Sequence, residues 1–300
     1  MGTQVSPSTG MRYGIKRVCI AWNVARSSFY ARQEAGVDSR PCRRRGPAPV
    51  LSDGELLEHI RSDLAESPFQ GEGYRKVWAR LRIGRGIAVS SRRVNRVMRE
   101  HNLLSPHRVP KGVPDEHNGR ICTDAPDLMW GTDGTKILTV DDGWCWFFGA
   151  IEHWNAECIG WHVCKRGDRF AALEPVSQGI ANIFGSLHAD AARGLSLRMD
   201  HGTQYLSEHF IKQIRYWGVT PSYAFVEEPQ TNGVAERFMR TLKEQVIHGR
   251  IYRNLEDLRS AISAFIDRYN REWLVEKLGY KSPTAARISY YQQAAGKLVA

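Results

Sequence analysis

The sequence predicts an α/β protein: a basic, all-α N-terminal region followed by a mixed five-stranded sheet with flanking helices. Three observations carry this reading. Between residues 52 and 104, apolar residues recur at helical spacing in three successive stretches. From Trp130 onward, runs rich in β-branched and aromatic residues take over, and turn residues separate them. Charge also changes along the chain. Residues 1–120 hold 22 Lys/Arg against 11 Asp/Glu, whereas residues 121–300 hold 20 against 21, so the net charge of +10 sits wholly in the first two-fifths. Such asymmetry fits an N-terminal part that binds a polyanion and a C-terminal part with another task.

A length of 300 residues, 42% of them apolar, allows one sizeable core and one or two small modules. No run of eighteen apolar residues is present, so no membrane span is expected. The start, MGTQVSPSTGMRYG, has no apolar signal-peptide stretch, so an unexported chain is expected. The six cysteines form no CxxC pair and read as small buried hydrophobes. His153, His162, His188 and His201 lack finger-like spacing with cysteines, which argues against zinc.

Residues 1–50 read as a short helical segment and a basic linker. Two helices are expected within 13–35, joined near Asn23, with Ser27 or Ser28 capping the second. DSRPCRRRGPAPV at 38–50 reads as linker. The next segment, 51–118, reads as a helix-turn-helix-like DNA-binding domain. Ser52-Asp53-Gly54-Glu55 is a capping box, and Leu56, Leu57, Ile60 and Leu64 share one face of the helix it opens. Tyr74, Val77, Trp78 and Leu81 make a second stripe. In the third, Val94, Val97 and Met98 face inward while Arg92, Arg96 and Arg99 recur on the opposite side, with Arg93 beside them. A basic face on the last helix of a three-helix unit is what insertion into a DNA groove requires.

Residues 119–300 read as the catalytic core with C-terminal helices. WGTDGTKILTV, a turn at Asp141-Asp142-Gly143, and WCWFFGAIEHW predict a hairpin, and residues 155–166 a third strand. Residues 170–185 are expected to be helical and 195–200 a short apolar strand. A helix over 205–217 and a fifth strand over 219–225 follow. The breaker-rich loop Glu228-Pro229-Gln230-Thr231-Asn232-Gly233 leads into a helix with Val234, Phe238, Leu242 and Val246 on one face and Glu236, Arg240 and Lys243 on another. Asn254 caps a last long helix with Leu255, Leu258, Ile262, Phe265, Ile266 and Tyr269 on its inner side.

Three acids stand out: Asp133 within a strand, Asp200 ending one, and Glu236 opening a helix. Thirty-five residues lie between the last two. That interval is weak on its own, because 21 acids in 180 residues produce such a pair by chance. Placement gives it weight. Carboxylates brought close repel unless a counter-charge intervenes, and an oxygen-only donor set suits Mg²⁺ or Mn²⁺.

Trp130-x-x-Asp133-x-Thr135, Met199-Asp200-His201-Gly202-x-Gln204-Tyr205 and Asn232-Gly233-x-x-Glu236-Arg237-Phe238-x-x-x-Leu242-Lys243 resemble the catalytic core of retroviral-integrase-like bacterial transposases. The match is to the second-reading-frame subunit (OrfB) of the family named for insertion sequence three. Arg268-Tyr269-Asn270 and Leu278-Gly279-Tyr280-Lys281-Ser282-Pro283-Thr284 resemble its C-terminal signature, and residues 52–104 its helix-turn-helix segment. Gly134 stands where the family has an apolar residue, and Arg237 where a small polar one is common.

The resemblance implies a ribonuclease-H-like core and a DNA transposase/integrase that cleaves transposon ends and transfers the 3′-hydroxyl into target DNA. It implies Asp133, Asp200 and Glu236 as catalytic residues and ligands of two Mg²⁺ or Mn²⁺ ions, Asp133 bridging them. Arg240 and Lys243 would lie along the DNA end, with Arg92, Arg93, Arg96 and Arg99 gripping DNA elsewhere. Expected partners are transposon-end and target DNA, further copies of the chain, and an upstream-frame OrfA subunit or frameshift fusion. The expected setting is the bacterial cytoplasm, at the nucleoid. Alternatives are a ribonuclease-H-like nuclease without strand transfer and a domesticated DNA-binding protein with an inactive core.

Overall fold

The computed structural model describes residues 3–35, 50–106, 123–223 and 232–299. The arginines of the linker, the proline-bearing stretch beyond residue 106 and the loop expected at Glu228–Thr231 lie outside the described residues. The chain forms two compact units, Met1–Leu51 and Ser52–Ala300. In the first, α1 (Gly14–Ala21) and α2 (Arg26–Ala35) are joined by a reversal in which Asn23 takes a left-handed φ of 50°. Ser27 and Ser28 do not cap α2. The Ala25 carbonyl already accepts from the Phe29 amide, so the helix begins before either serine.

The second unit opens with α3 (Asp53–Glu66), whose capping box is complete: Ser52 accepts from the Glu55 amide and Glu55 accepts from the Ser52 amide. Next come α4 (Tyr74–Ala79), which runs on into a π-helical turn at Arg80–Gly84, and α5 (Ser91–Glu100), capped by Ser90. Leu56, Ile60, Val77, Leu81, Val94, Val97 and Met98 are buried together with an unexpected acid, Asp63. Arg80 reconciles that carboxylate with the interior, approaching Asp63 at 2.8 Å and the equally buried Glu72 at 2.5 Å.

Strands β1 (Met129–Thr139), β2 (Gly143–Glu152), β3 (Cys158–Cys164), β4 (Ser196–Met199) and β5 (Thr220–Tyr223) form one sheet in the order β3-β2-β1-β4-β5. The first three pair antiparallel as a meander, and β4 and β5 add in parallel, as the alternation of helix and strand predicts. Alternate side chains divide the core into two layers. One face, with Trp130, Phe148, Leu197 and Met199, packs under α6 (Arg169–Phe184), α7 (Thr203–Leu206) and α8 (Glu208–Tyr216). The other, with Ile137, Phe147 and Val163, packs under α9 (Gly233–Leu242) and α10 (Leu255–Glu272). The single helix expected at 205–217 is broken, because Ser207 turns extended and caps α8 by accepting from Phe210.

A π-helical turn, Lys243–Ile247, continues α9, and α11 (Pro283–Val299) closes the chain. The helical region is docked on these late elements. The Gln245 side chain brackets the Gln70 backbone, donating to its carbonyl at 2.7 Å and accepting from its amide at 2.9 Å. Arg75 pairs with Glu276, Phe69 meets Trp273 edge-on, and Trp78 meets Tyr280. Among the described residues no helix is long and apolar enough to cross a membrane.

Helix and sheet pack tightly at Gly160 of β3, where a Cβ would lie 2.0 Å from the Pro175 carbonyl oxygen of α6. Gly160→Ala is therefore expected to destabilise the protein by about 1–3 kcal/mol, the usual cost of overpacking a core. Chemical denaturation measures it, and a wild-type midpoint would contradict the rigid contact between α6 and β3.

Candidate active site

The site begins with strand register. In the parallel pair, Met129 of β1 lies opposite Ser196 of β4, and Gly131 opposite Arg198. Continuing that register two residues carries Asp200, the residue just after β4, to the level of Asp133. Gly131, Asp133 and Ile137 share the face that α9 covers, since Trp130 and Thr132 point into the opposite layer. Asp200 is exposed and locally fixed: its Oδ1 accepts from the Gly202 amide at 2.9 Å, and a Cβ on Gly202 would crowd the same oxygen.

Glu236 comes from the first turn of α9. That helix buries Ala235, Phe238, Met239 and Leu242 and leaves Glu236, Arg237 and Arg240 exposed, with Lys243 half-buried in the following turn. Its start presses on β1. A Cβ at Gly131 would lie 2.6 Å from Asn232 Oδ1, 3.0 Å from His153 Nε2 and 3.3 Å from the Ala235 methyl. Asn232 also donates through Nδ2 to the Thr132 carbonyl at 3.1 Å.

Asp133 registers this assembly. Burial raises its pKa to about 6, against the Gly134 amide, which bonds its Oδ1 at 2.7 Å and pulls the other way. The charges of Asp200 and Glu236 raise it further, and Lys243 lowers it. Asp133 thus feels two carboxylates from two other elements and one cation. Partial desolvation also raises Glu236, with Arg240 opposing. Among the described residues no three His, Cys, Asp or Glu side chains converge closely enough to hold an ion. The three acids share a field rather than a closed cluster. Their donor chemistry, oxygen only with uncompensated negative charge, fits a hard divalent cation.

The arginines of α5 divide into two pairs. Arg93 and Arg96 are half-buried and both bond Asp53 at the start of α3, at 2.7 and 2.6 Å, and Arg96 also pairs with Glu100. Both guanidiniums hold Asp53 below the ordinary carboxylate range, Arg96 the more strongly. Arg92 and Arg99 are exposed. Sequence reasoning missed several groups around the acids. Tyr205, fully buried, meets the Thr132 hydroxyl at 3.4 Å, and the Tyr223 ring stacks on His201. Burial also pushes the pKa of His153 down to about 4, helped by Lys277 and Arg198. The motifs name His201, Tyr205 and Asn232 but not their contacts, and Gly131, unusual inside a strand, is a further local sign of this neighbourhood.

Two family models match the chain: an HTH-like domain over residues 55–111 and an integrase core domain over residues 217–283. The transposase for insertion sequence element IS629 of Shigella sonnei is 25% identical over 292 residues, covering 93% of each chain. The transposase InsD for insertion element IS2A/D/F/H/I/K of Escherichia coli is 26% identical over 284 residues, covering 90% of each. Among solved structures, the catalytic core domain of BIV integrase aligns with a TM-score of 0.40 and 16% identity, covering 56% of this chain and 99% of that one. The chain is thus similar to insertion-element transposases over nine-tenths or more of both lengths, and parts of it match the models for an HTH-like domain and an integrase core domain.

The raised pKa of Asp133 sets a pH dependence. An acid whose folded pKa of about 6 exceeds its ordinary value of 3.8 costs nothing below the lower value. Its penalty grows as pH rises between the two and is complete above the higher. Metal-free Asp133→Asn is therefore expected to be more stable than wild type at about pH 8, by an amount of order 2 kcal/mol, and equal to it near about pH 4. Thermal melts across pH test this, and a gap independent of pH would contradict it.

Proposed function

We propose that this chain is the catalytic transposase of a bacterial insertion element, which cuts the element's ends and joins them to target DNA with divalent metal ions. The observation that supports the reading is that Asp133, on a strand, carries in its raised pKa the charges of Asp200, just past a neighbouring strand, and Glu236, in the first turn of α9. In this reading Asp133, Asp200 and Glu236 are the residues that would hold the divalent ions. Bound Mg²⁺ or Mn²⁺ would supply charge neutralisation and Lewis-acid polarisation of a phosphodiester. The reaction is two in-line displacements at phosphorus. Water first replaces a bridging oxygen at the element's end and frees a 3′-hydroxyl, and that hydroxyl then replaces a bridging oxygen in the target strand. No ATP is consumed, since each step exchanges one phosphodiester or water oxygen for another.

The chain's own groups orient the substrate. Arg240 and Lys243 follow Glu236 along α9 and its π-turn, so a phosphate backbone laid across them meets the acids at one end. In α5, Arg92 and Arg99 grip DNA directly, while Arg93 and Arg96 brace the helix on Asp53 and lend their charge. The HTH-like domain (51–118) thus selects the end and the core (119–300) cuts it. Further copies of the chain hold the second end, and an upstream-frame subunit or fusion adds to end recognition.

Incubation with DNA carrying the element's ends and Mn²⁺ tests the chemistry. Asp133→Asn and Glu236→Gln should each lower release of 3′ ends by at least ~100-fold, about 3 kcal/mol of transition-state stabilisation. Equal release by wild type and variants would sink the assignment. A separate measurement concerns α5. Arg92→Ala and Arg99→Ala should each weaken end binding and flatten its salt dependence by about one unit of slope. Arg93→Ala and Arg96→Ala should also lower thermal stability by up to ~1 kcal/mol through the exposed Asp53 pair. An unchanged salt slope in all four would show that α5 does not touch the phosphates.

A further inference from the structure

Two deeply buried polar side chains meet beside Asp133 with hydrogen-bonding capacity unused. Asn232 is 4% exposed and His153 3% exposed. Among the described residues, Asn232 Oδ1 and both His153 ring nitrogens have no hydrogen-bond partner. Buried polar atoms of this kind are costly and call for an explanation. Their location supplies one. Oδ1 and Nε2 flank the same point, the position a Cβ would take on Gly131, at 2.6 and 3.0 Å. Only glycine fits there, so β1 at this residue has been left bare for two polar groups.

The remaining contacts tie this point to both acids. The other end of the Asn232 amide bonds the carbonyl of Thr132, the residue before Asp133. Asn232 is itself the N-cap of α9, yet its side chain makes no capping bond to that helix. It is spent instead on the strand. His153 is held from its backbone, whose carbonyl accepts from Lys277 at 2.6 Å and whose amide donates to Met129 at 3.0 Å. The imidazole is neutral, so it offers one donor and one acceptor. Asn232 Oδ1 is an unused acceptor beside the same Gly131 position.

We propose that Asn232, seated on Gly131 and backed by His153, is a positioning latch that fixes the start of α9 against β1 and so aligns Glu236 with Asp133 for metal capture. The latch rests on the reading of these two acids as metal ligands. Register within one sheet sets Asp133 and Asp200 relative to each other. Glu236 has no such constraint, because it arrives on a helix from outside the sheet. The amide joins α9 to the main chain next to Asp133, and the neutral imidazole stands on the same side of Gly131 as its free oxygen, where one water can bridge the two. Asn232 touches no reacting atom. It acts through the placement of Glu236.

The test uses the full chain and Mn²⁺ alone, followed by electron paramagnetic resonance of the free ion, with thermal melts of the metal-free protein alongside. Asn232→Ala is expected to raise the Mn²⁺ dissociation constant by about tenfold or more, the usual effect of removing a group that orients a ligand. The Mn²⁺ concentration for half-maximal end cleavage should rise in parallel, while end-DNA binding is unchanged. His153→Leu should weaken Mn²⁺ binding, and His153→Gln, which restores a donor, should recover most of it. A merely structural role would lower the melting temperature in all three without this rescue. Wild-type Mn²⁺ affinity in Asn232→Ala and His153→Leu, with affinity lost in Asp133→Asn, overturns the latch alone. Retention of Mn²⁺ by Asp133→Asn overturns the metal-site reading and the latch with it.

Discussion

The candidate site depends on how closely the start of α9 lies on β1. Two of its three acids need no such contact, because parallel pairing of β1 with β4 brings Asp200 level with Asp133 through main-chain hydrogen bonds. The third depends on packing. Phe238 and Leu242 sink into the layer formed by Phe147 and Ile137, and this sets the rotation of α9 about its axis. With the helix so turned, Glu236, Arg237 and Arg240 must face outward. Gly131 then sets the depth, since any side chain there would lift the helix from the strand. Rotation and depth together decide where Glu236 stands.

The treatment of charge elsewhere shows what is unusual here. Buried acids in this protein are met by guanidinium groups. Asp63 and Glu72 share Arg80, and Asp127, Glu152 and Glu157 converge on Arg287 of α11 at 2.6, 3.5 and 2.5 Å. Even the more exposed Asp53 holds two arginines. Asp133 is buried too, but two further acids and one lysine surround it, and its carboxyl responds by retaining a proton to about pH 6. Burial beside Asp127 holds Glu152 up as well, to about 7, but the cation facing that pair is the Arg287 guanidinium, whereas the cation offsetting the acids around Asp133 is Lys243.

The sequence made much of this legible where the signal is local. Alternation and turn residues mark the β1–β2 hairpin, Ser52 and Glu55 announce α3, and the spacing of Phe238, Leu242 and Val246 names the buried side of α9. Asp133, Asp200 and Glu236 could be picked out because each sits where one element ends or another shows a face. What stayed hidden depends on partners far away in sequence. Nothing near Asp63 announces Arg80, and nothing in α5 shows that Arg93 and Arg96 reach back some forty residues to Asp53. Helical periodicity also ran through Ser207, because a serine that caps a new helix looks like one that continues the old. Gly131 could be noticed in a strand, but its reason lies in Asn232, a hundred residues on.

The divided arginines of α5 bear on how recognition is joined to chemistry. A helix carrying four free guanidiniums would be attracted to any phosphate but held in no particular pose. Here Arg93 and Arg96 spend hydrogen bonds on Asp53, fixing α5 against α3, while Arg92 and Arg99 stay exposed. That small unit is in turn held on the core: Gln245, just beyond Lys243, brackets the backbone of Gln70, and Arg75 holds Glu276. The turn that carries Lys243 on one side of Gln245 therefore also carries the anchor of the helical region. A backbone bond of this kind transmits position rather than charge, and it ties the helical region to the turn that follows α9. DNA held at α5 would then be presented to the acids around Asp133 with less freedom than charge attraction alone would leave it.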